Sequence, residues 1–386
     1  MLLLEHDGKE LLAAHGIAVA AGVLVSSLSG LDASLLPPGP WVVKAQVPTG
    51  GRGKAGGIRM ADTVTEVETR LQALLGSTLK GHPVRGCRVE QRVIGGTEAY
   101  VSLSVDAQSG GVQLLMSAAG GVEIEALANQ AGAILSTVAA PDLASLQAVG
   151  RELIAKLPQV QQKPMGEAVE RLAAAFMATE ALLVEVNPLF LQPDGSWLAG
   201  DAKVILDDNA FERQPALVAM AHARKDAYPE TEFKLTEDFD YIDLDTDGEV
   251  GMVTTGAGLS MMLVDELAER GLRAFNFVDM RTGQMKGDPH RLVLVLERMR
   301  EGPNIKVLLI NVFAGITHLG EFSRLLVRAL DQVPALKNIP IVARLLGNGL
   351  EEAHQVLLDA KTPVYLETDL EEALARAAEL VKKGRP

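Results

Sequence analysis

A single cysteine, Cys87, stands among 386 residues, so no intramolecular disulfide and no thiolate metal cluster can form. A lone cysteine of this kind is expected as a small buried hydrophobe. Basic residues are in deficit, 36 Lys+Arg against 50 Asp+Glu, for a net charge of −14. Such a surface repels nucleic acid and anionic membranes unless a basic patch is concentrated locally, so neither is expected as a partner. No stretch of about 20 residues is free of charged and polar breaks, which argues against a spanning helix. The opening MLLLEHDGKELLAAHGIAV carries acids among its apolar residues and lacks a basic segment before a long apolar run. Its Leu3, Leu4, Leu11 and Leu12 suit a short amphipathic helix instead. A soluble, cytoplasmic protein is expected. Repeats of solenoid length are missing as well.

What remains is ordinary globular material, 48% hydrophobic and 22% charged. At about 100–200 residues per domain, two or three domains are expected. The first part, 1–237, alternates β-like runs with helical stretches and reads as α+β. WVVKAQV (41–47) is a strand leading into the glycine-dense, basic TGGRGKAGGIRM. Strands flank a break at Gly95-Gly96, and 142–180 is helical with a break near Pro164. The run 181–206 reads as strand, Pro-Asp-Gly turn, strand. After a polar seam, 238–386 changes rhythm. Apolar strands, each followed by a helix, indicate a doubly wound parallel sheet of about 150 residues. Ligands are then expected at the strands' carboxyl ends, around 254–258, 279–283, 311–317 and 347–349.

Several common chemistries are absent. No Gly-Lys-Ser/Thr closes a Walker A loop, no HExxH binds zinc, and nothing resembles a Ser-His-Asp arrangement. Asp243, Asp245, Asp247 and Gly248 mimic the opening of a calcium loop. The twelfth position is Thr254, and a strand follows, so this is read as a turn between domains. His318 is read as a polar loop residue.

Three groups could carry chemistry. In the glycine-rich loop, Gly51 and Gly53 let backbone amides approach a phosphate, Arg52 and Lys54 add charge, and Lys44 stands on the preceding strand. Glu90 and Glu98 flank the glycine break, where a carboxylate can meet ribose hydroxyls. Glu185 and Asn187 alternate on one strand, with Asp201 on the next, an oxygen set that suits Mg²⁺. Each group read alone is equally a basic surface loop, a strand-end charge or a polar hairpin face.

Taken in order, WVVKAQVPTGGRGKAGGIRM, SAAGGVEIE (117–125), VEVNPLF, GDAKVILDDNAFERQP, GAGLSMMLVD, NFVDM, INVFAGI and RLLGN closely resemble the β subunit of ADP-forming succinate–CoA ligase (succinyl-CoA synthetase). Malate–CoA ligase β subunits are equally similar. The resemblance implies an ATP-grasp domain followed by a flavodoxin-like CoA-ligase domain. It implies ATP and Mg²⁺ as reactants, and a separate α subunit, in an αβ or α2β2 assembly, that brings the CoA site and a phosphorylated histidine. By that resemblance Lys44 and Gly51, Arg52 and Gly53 hold the nucleotide phosphates, Glu90 to Val93 line the adenine edge and Glu98 takes the ribose. Asn187 and Asp201 hold Mg²⁺, and Glu185 orients the partner's histidine. The acid and phosphoryl group fall to Thr255, Arg281, Ala314, Gly315, Ile316 and Thr317.

Departures from the family pattern gather at this acid end. Asp279-Met280-Arg281-Thr282-Gly283 stands for Asp-Val-Gly-Gly-Gly, Thr255 for Asn, Ala314 for Gly, and His318-Leu319-Gly320 for Arg-Cys-Asp. Arg281 is expected to pair with a second carboxylate or a sulfonate of an acid other than succinate. A non-catalytic nucleotide-binding paralogue and a carboxylate–amine ligase are the other classes considered. The retained Lys44, Asn187 and Asp201 argue against the first, the doubly wound second domain against the other.

Overall fold

The computed structural model describes residues 1–121, 132–285, 287–315, 317–360 and 363–384, and no helix among them is long and apolar enough to cross a membrane. Residues 122–125 of the SAAGGVEIE run, and Ile316, lie outside the described residues. Two compact units divide between Leu217 and Val218. Residues 218–237, expected in the first domain, belong to the second because their aromatic side chains pack there. Phe233 shares one core cluster with Phe239, Tyr241 and Val253. The Asp245–Gly248 turn therefore lies inside the second unit, not between the two.

The first unit opens with helix α1 (Glu5–Ala14). A four-stranded antiparallel sheet follows, in the order β1 (Gly22–Val25), β6 (Cys87–Gln91), β2 (Trp41–Ala45), β3 (Ile58–Ala61); a small hairpin, β4 (Thr78–Leu79) and β5 (His82–Pro83), stands apart. One face of β2 and β6 carries Val43, Ala45, Cys87 and Val89 onto Val67, Leu71 and Leu74 of the helix Val64–Leu74. Burial pushes the Cys87 thiol up to about 12, with Arg59 pulling weakly the other way. A second antiparallel sheet holds β7 (Thr97–Asp106), β8 (Gly111–Ser117), β9 (Leu135–Ala139), β10 (Ala181–Leu191), β11 (Trp197–Ala199) and β12 (Lys203–Leu206). Both β11 and β12 pair with β10. The helical stretch is two helices, Leu143–Ile154 and Gln159–Ala178. Its break falls at Pro158, and the second helix runs on through Pro164.

In the second unit β14 (Val250–Thr254), β16 (Val307–Ala314), β17 (Ile341–Gly347) and β18 (Val364–Glu367) run parallel in that order. β13 (Asp240–Asp243) pairs antiparallel with β15 (Asn276–Asp279). Both faces of the parallel sheet are covered, so its strands are apolar throughout. Leu308, Ile310 and Val312 face one core, with Leu296 and Phe322 of the helices His290–Met299 and Leu319–Gln332. Val307 and Leu309 face the other, with Leu267 and Leu374 of the helices Ala257–Glu269 and Leu370–Lys383. This is the expected doubly wound architecture.

Candidate active site

Glu5 and Lys9 lie one turn apart on α1 and share its buried side with Gly8 and Leu12. In the adjoining sheet Val42 stands opposite Glu90 and Lys44 opposite Arg88, so Lys44, Arg88 and Glu90 project from one face. The charges meet in a closed ring. Lys9 Nζ is 2.9 Å from Glu5 Oε1 and 2.7 Å from Glu90 Oε2; Lys44 Nζ is 2.8 Å from Glu5 Oε1 and 2.7 Å from Glu90 Oε1. Both ammoniums also donate to the Gly200 carbonyl, at 2.9 and 2.7 Å. An ammonium has three donors, and each lysine here meets three protein acceptor groups. A Cβ on Gly200 would lie 2.4 Å from the Phe190 ring, so only glycine lets this backbone come so close.

Two guanidiniums extend the ring. Arg52 Nη2 is 2.7 Å from Glu5 Oε2 and donates to both oxygens of Asp201 at 3.0 Å, while Nη1 donates to the Ala45 carbonyl. The glycine loop makes this possible. Gly51 takes a φ of 68°, and the Gly57 amide closes onto the Arg52 carbonyl at 2.8 Å, which turns the arginine inward. Arg88 Nε donates to Glu90 Oε2 at 2.8 Å, and its Nη1 to Glu10.

Burial alone would raise the Glu5 and Glu90 carboxyls. Lys44 and Lys9 outweigh it at both, helped by Arg52 at Glu5, and hold both below the ordinary value. Burial lowers the Lys9 ammonium despite Glu5 and Glu90; at Lys44 burial is overcome, by Glu5 first, and the pKa rises. A carboxyl whose folded pKa is depressed contributes fully above its unfolded value, about 4.3, and loses that contribution as pH falls through the folded value. Glu5→Gln is therefore expected to destabilise by about 3–5 kcal/mol at pH 7, the usual cost of breaking a buried pair. The gap to wild type should close only below about pH 4. Urea midpoints across that range check it; a gap unchanged at low pH contradicts the assignment.

The other expected nucleotide residues sit close by. Asn187 Oδ1 accepts from the Gly121 amide at 2.8 Å, and the Glu98 carboxylate fills the space a Cβ on Gly121 would need. Glu185 precedes Asn187 on β10, opposite Lys203 of β12. Asp201 lies in the link between β11 and β12, not on a strand. The Gly200 amide donates to the Pro188 carbonyl at 2.8 Å, which sets Asp201 beside Asn187 across that backbone bond. No group of three His, Cys, Asp or Glu suited to a metal occurs among the described residues. The pair still fits Mg²⁺, which takes one or two hard protein oxygens and completes its shell with phosphate and water. The Glu90 carboxylate faces Lys9, Lys44 and Arg88. Val93 is half-buried beyond β6.

The second unit has its own cavity, of about 220 Å³, at the carboxyl ends of its strands. Thr282, Thr317, His318 and Glu321 line its polar side; Met285, Phe322 and Leu325 form its apolar floor. The Thr282 and Thr317 hydroxyls hydrogen-bond at 2.8 Å. The His318 ring rests on Gly349, with Nε2 3.8 Å from Glu352. Arg281 stands outside this lining. Its guanidinium donates to Asp238 at 3.0 Å and lies 3.7 Å from Asp240, so it is already paired within the protein. Thr255 precedes Gly256, whose amide donates to Asp279. Gly315 is exposed past the end of β16.

The ATP-grasp domain family matches residues 2–191 and the CoA-ligase family residues 253–378. The β subunit of ADP-forming succinate–CoA ligase from Chloroflexus aurantiacus is 37% identical over 367 residues, 94% of each chain. The chain belongs to the succinate–CoA ligase β-subunit family. The Desulfurococcus amylolyticus β subunit is 34% identical and covered over 99% of both chains. A solved ATP citrate lyase from Methanothrix soehngenii, in complex with citrate and coenzyme A, has the same fold, with a TM-score of 0.74 at 21% identity over 98% of this chain and 99% of that one. A succinate–CoA ligase β subunit is part of an ADP-forming CoA ligase, an enzyme that uses ATP and Mg²⁺ and works with an α subunit. Within that family assignment, Glu5, Lys9, Arg88 and Gly200 are the polar groups that sequence reasoning did not single out.

Proposed function

We propose that this chain takes the terminal phosphoryl of ATP and passes it to a histidine of the α subunit, from which it reaches a short acid. The acyl phosphate so formed is then attacked by CoA held mainly by that subunit. The route divides one hard step, since a free carboxylate is a poor electrophile towards a thiol. The observation that carries this reading is the convergence of Lys44, Arg52 and the partly exposed Asp201 in one charged cluster next to Asn187. Lys44 and Arg52 bind and orient the phosphates, with the loop amides of Gly51 and Gly53 alongside. Asn187 and Asp201 would hold Mg²⁺, which when bound neutralises charge that builds up on the transferring phosphoryl. Glu98 takes the ribose, and Glu185 orients the incoming imidazole and supports its charge.

The acid lies at the cavity of the second unit, beside Gly315 and Thr317. Two hydroxyls there favour an acid with a hydroxyl group of its own; malate comes before a short sulfonated acid and before succinate. Arg281, held by Asp238, does not read the acid. Thr282→Gly is expected to move the malate-to-succinate ratio of kcat/KM towards succinate by about fivefold, the worth of one hydrogen bond near 1 kcal/mol. Arg281→Gly should leave the ratio alone. A panel of short acids assayed with ATP, CoA and the co-expressed α subunit measures both. If wild type prefers succinate across the panel, or Thr282→Gly leaves the ratio in place, the hydroxyl pair does not select the acid.

A further inference from the structure

Glu5 and Lys9 of α1 have no direct place in that chemistry, yet both are buried next to it. Lys9 is 0% exposed and cannot reach a ligand, whereas Lys44 and Arg52, at 6% and 7%, sit at the edge of the cluster. Glu5 touches all three: Oε1 meets Lys9 and Lys44, and Oε2 meets Arg52. We propose that Glu5, backed by Lys9, is a positioning residue for the nucleotide, setting the spacing of Lys44 and Arg52. The proposal rests on the reading of those two cations as phosphate ligands.

The geometry also states how the exchange would run. Every donor of Lys44 is matched by Glu5, Glu90 and Gly200, and Arg52 is held by Glu5 and Asp201. A phosphate can gain these cations only if they turn partly from Glu5. A buried carboxylate left alone is costly, and Lys9 stays in place as its counter-charge. Lys9 thus lets Glu5 release its other two partners without becoming an unpaired buried anion.

The test measures MgADP binding to the complex of this chain with its α subunit by calorimetry, next to thermal melting and the separate KM values. Glu5→Asp keeps the charge but draws the carboxylate back by one methylene. It is expected to weaken MgADP on the order of 10–100-fold and raise KM for ATP, with KM for the acid and for CoA unmoved. Glu5→Gln with Lys9→Met removes one charge of each sign. It should recover melting temperature relative to Glu5→Gln alone while MgADP stays weak. If Glu5→Asp and the double variant bind MgADP as wild type does and only melting shifts, Glu5 merely supports the fold and the proposal is overturned. Should the glutamine variants not fold, Glu5→Asp decides alone. Lys44→Met separates the underlying reading: if it binds MgADP normally, Lys44 is no phosphate ligand, and the positioning role falls with it.

Discussion

Asp201→Ala is expected to reduce phosphoryl transfer from ATP to the partner's histidine by at least 10²-fold while the chain still folds. Groups that only support a metal ligand cost 10–100-fold when removed, and a direct carboxylate ligand costs no less. Mg²⁺ has few protein ligands to spare, and Asn187 alone offers a neutral oxygen. The fold should survive because Asp201 is partly exposed, its side chain 30% accessible, and sits in a link, not in a core. Its pair with Arg52 is of the kind worth up to about 1 kcal/mol. For a unit of this size that is about 2–4 °C in melting temperature. Labelling of the α subunit by ATP carrying a γ-phosphoryl label, in the co-purified complex, reads the transfer. Normal labelling by a folded variant removes Asp201 from the metal site.

The second expected result is all-or-none: the purified chain alone forms no acyl-CoA with any acid. Several of its histidines already have partners within the chain. His222 pairs with Glu232, His290 with Glu237, and His318 rests against Gly349 and Glu352. His6 is beside the charged cluster, its Nδ1 2.6 Å from Arg88 Nη1. On the proposed reading the phosphoryl carrier belongs to the other chain, so ATP has no productive acceptor without it. Coupled assays with CoA and a panel of acids, with and without the α subunit, check this. Turnover by the pure chain overturns the two-subunit reading.

How far these sites could be read from sequence depends on what kind of pattern encodes them. The parallel strands of the second unit are apolar runs bounded by glycine turns, a local signal, and were legible. Lys44, Arg52, Asn187 and Asp201 were singled out because they sit in distinctive short motifs, and Lys44, Arg52 and Asp201 do meet in one cluster through Glu5. Glu5 and Lys9 were not, because a Glu–Lys pair four apart on a helix ordinarily marks a solvated face. The sign that could have found them is phase: 5, 8, 9 and 12 repeat at helical spacing, so both charges share the buried stripe with Leu12. Arg281 misled in the opposite direction. It replaces a glycine at a strand end expected to meet ligand, but Asp238 and Asp240, distant in sequence, claim its guanidinium. The domain boundary moved for a similar reason, since nothing local in 218–237 says which core Phe233 joins.

The interior position of Cys87 has a practical side. Its side chain is fully buried, burial raises the thiol pKa, and the thiolate is the reactive form. The native protein is therefore expected to react slowly with maleimide and iodoacetamide dyes. A cysteine introduced on an exposed turn, such as Asp194→Cys in the first unit, becomes the one reactive handle.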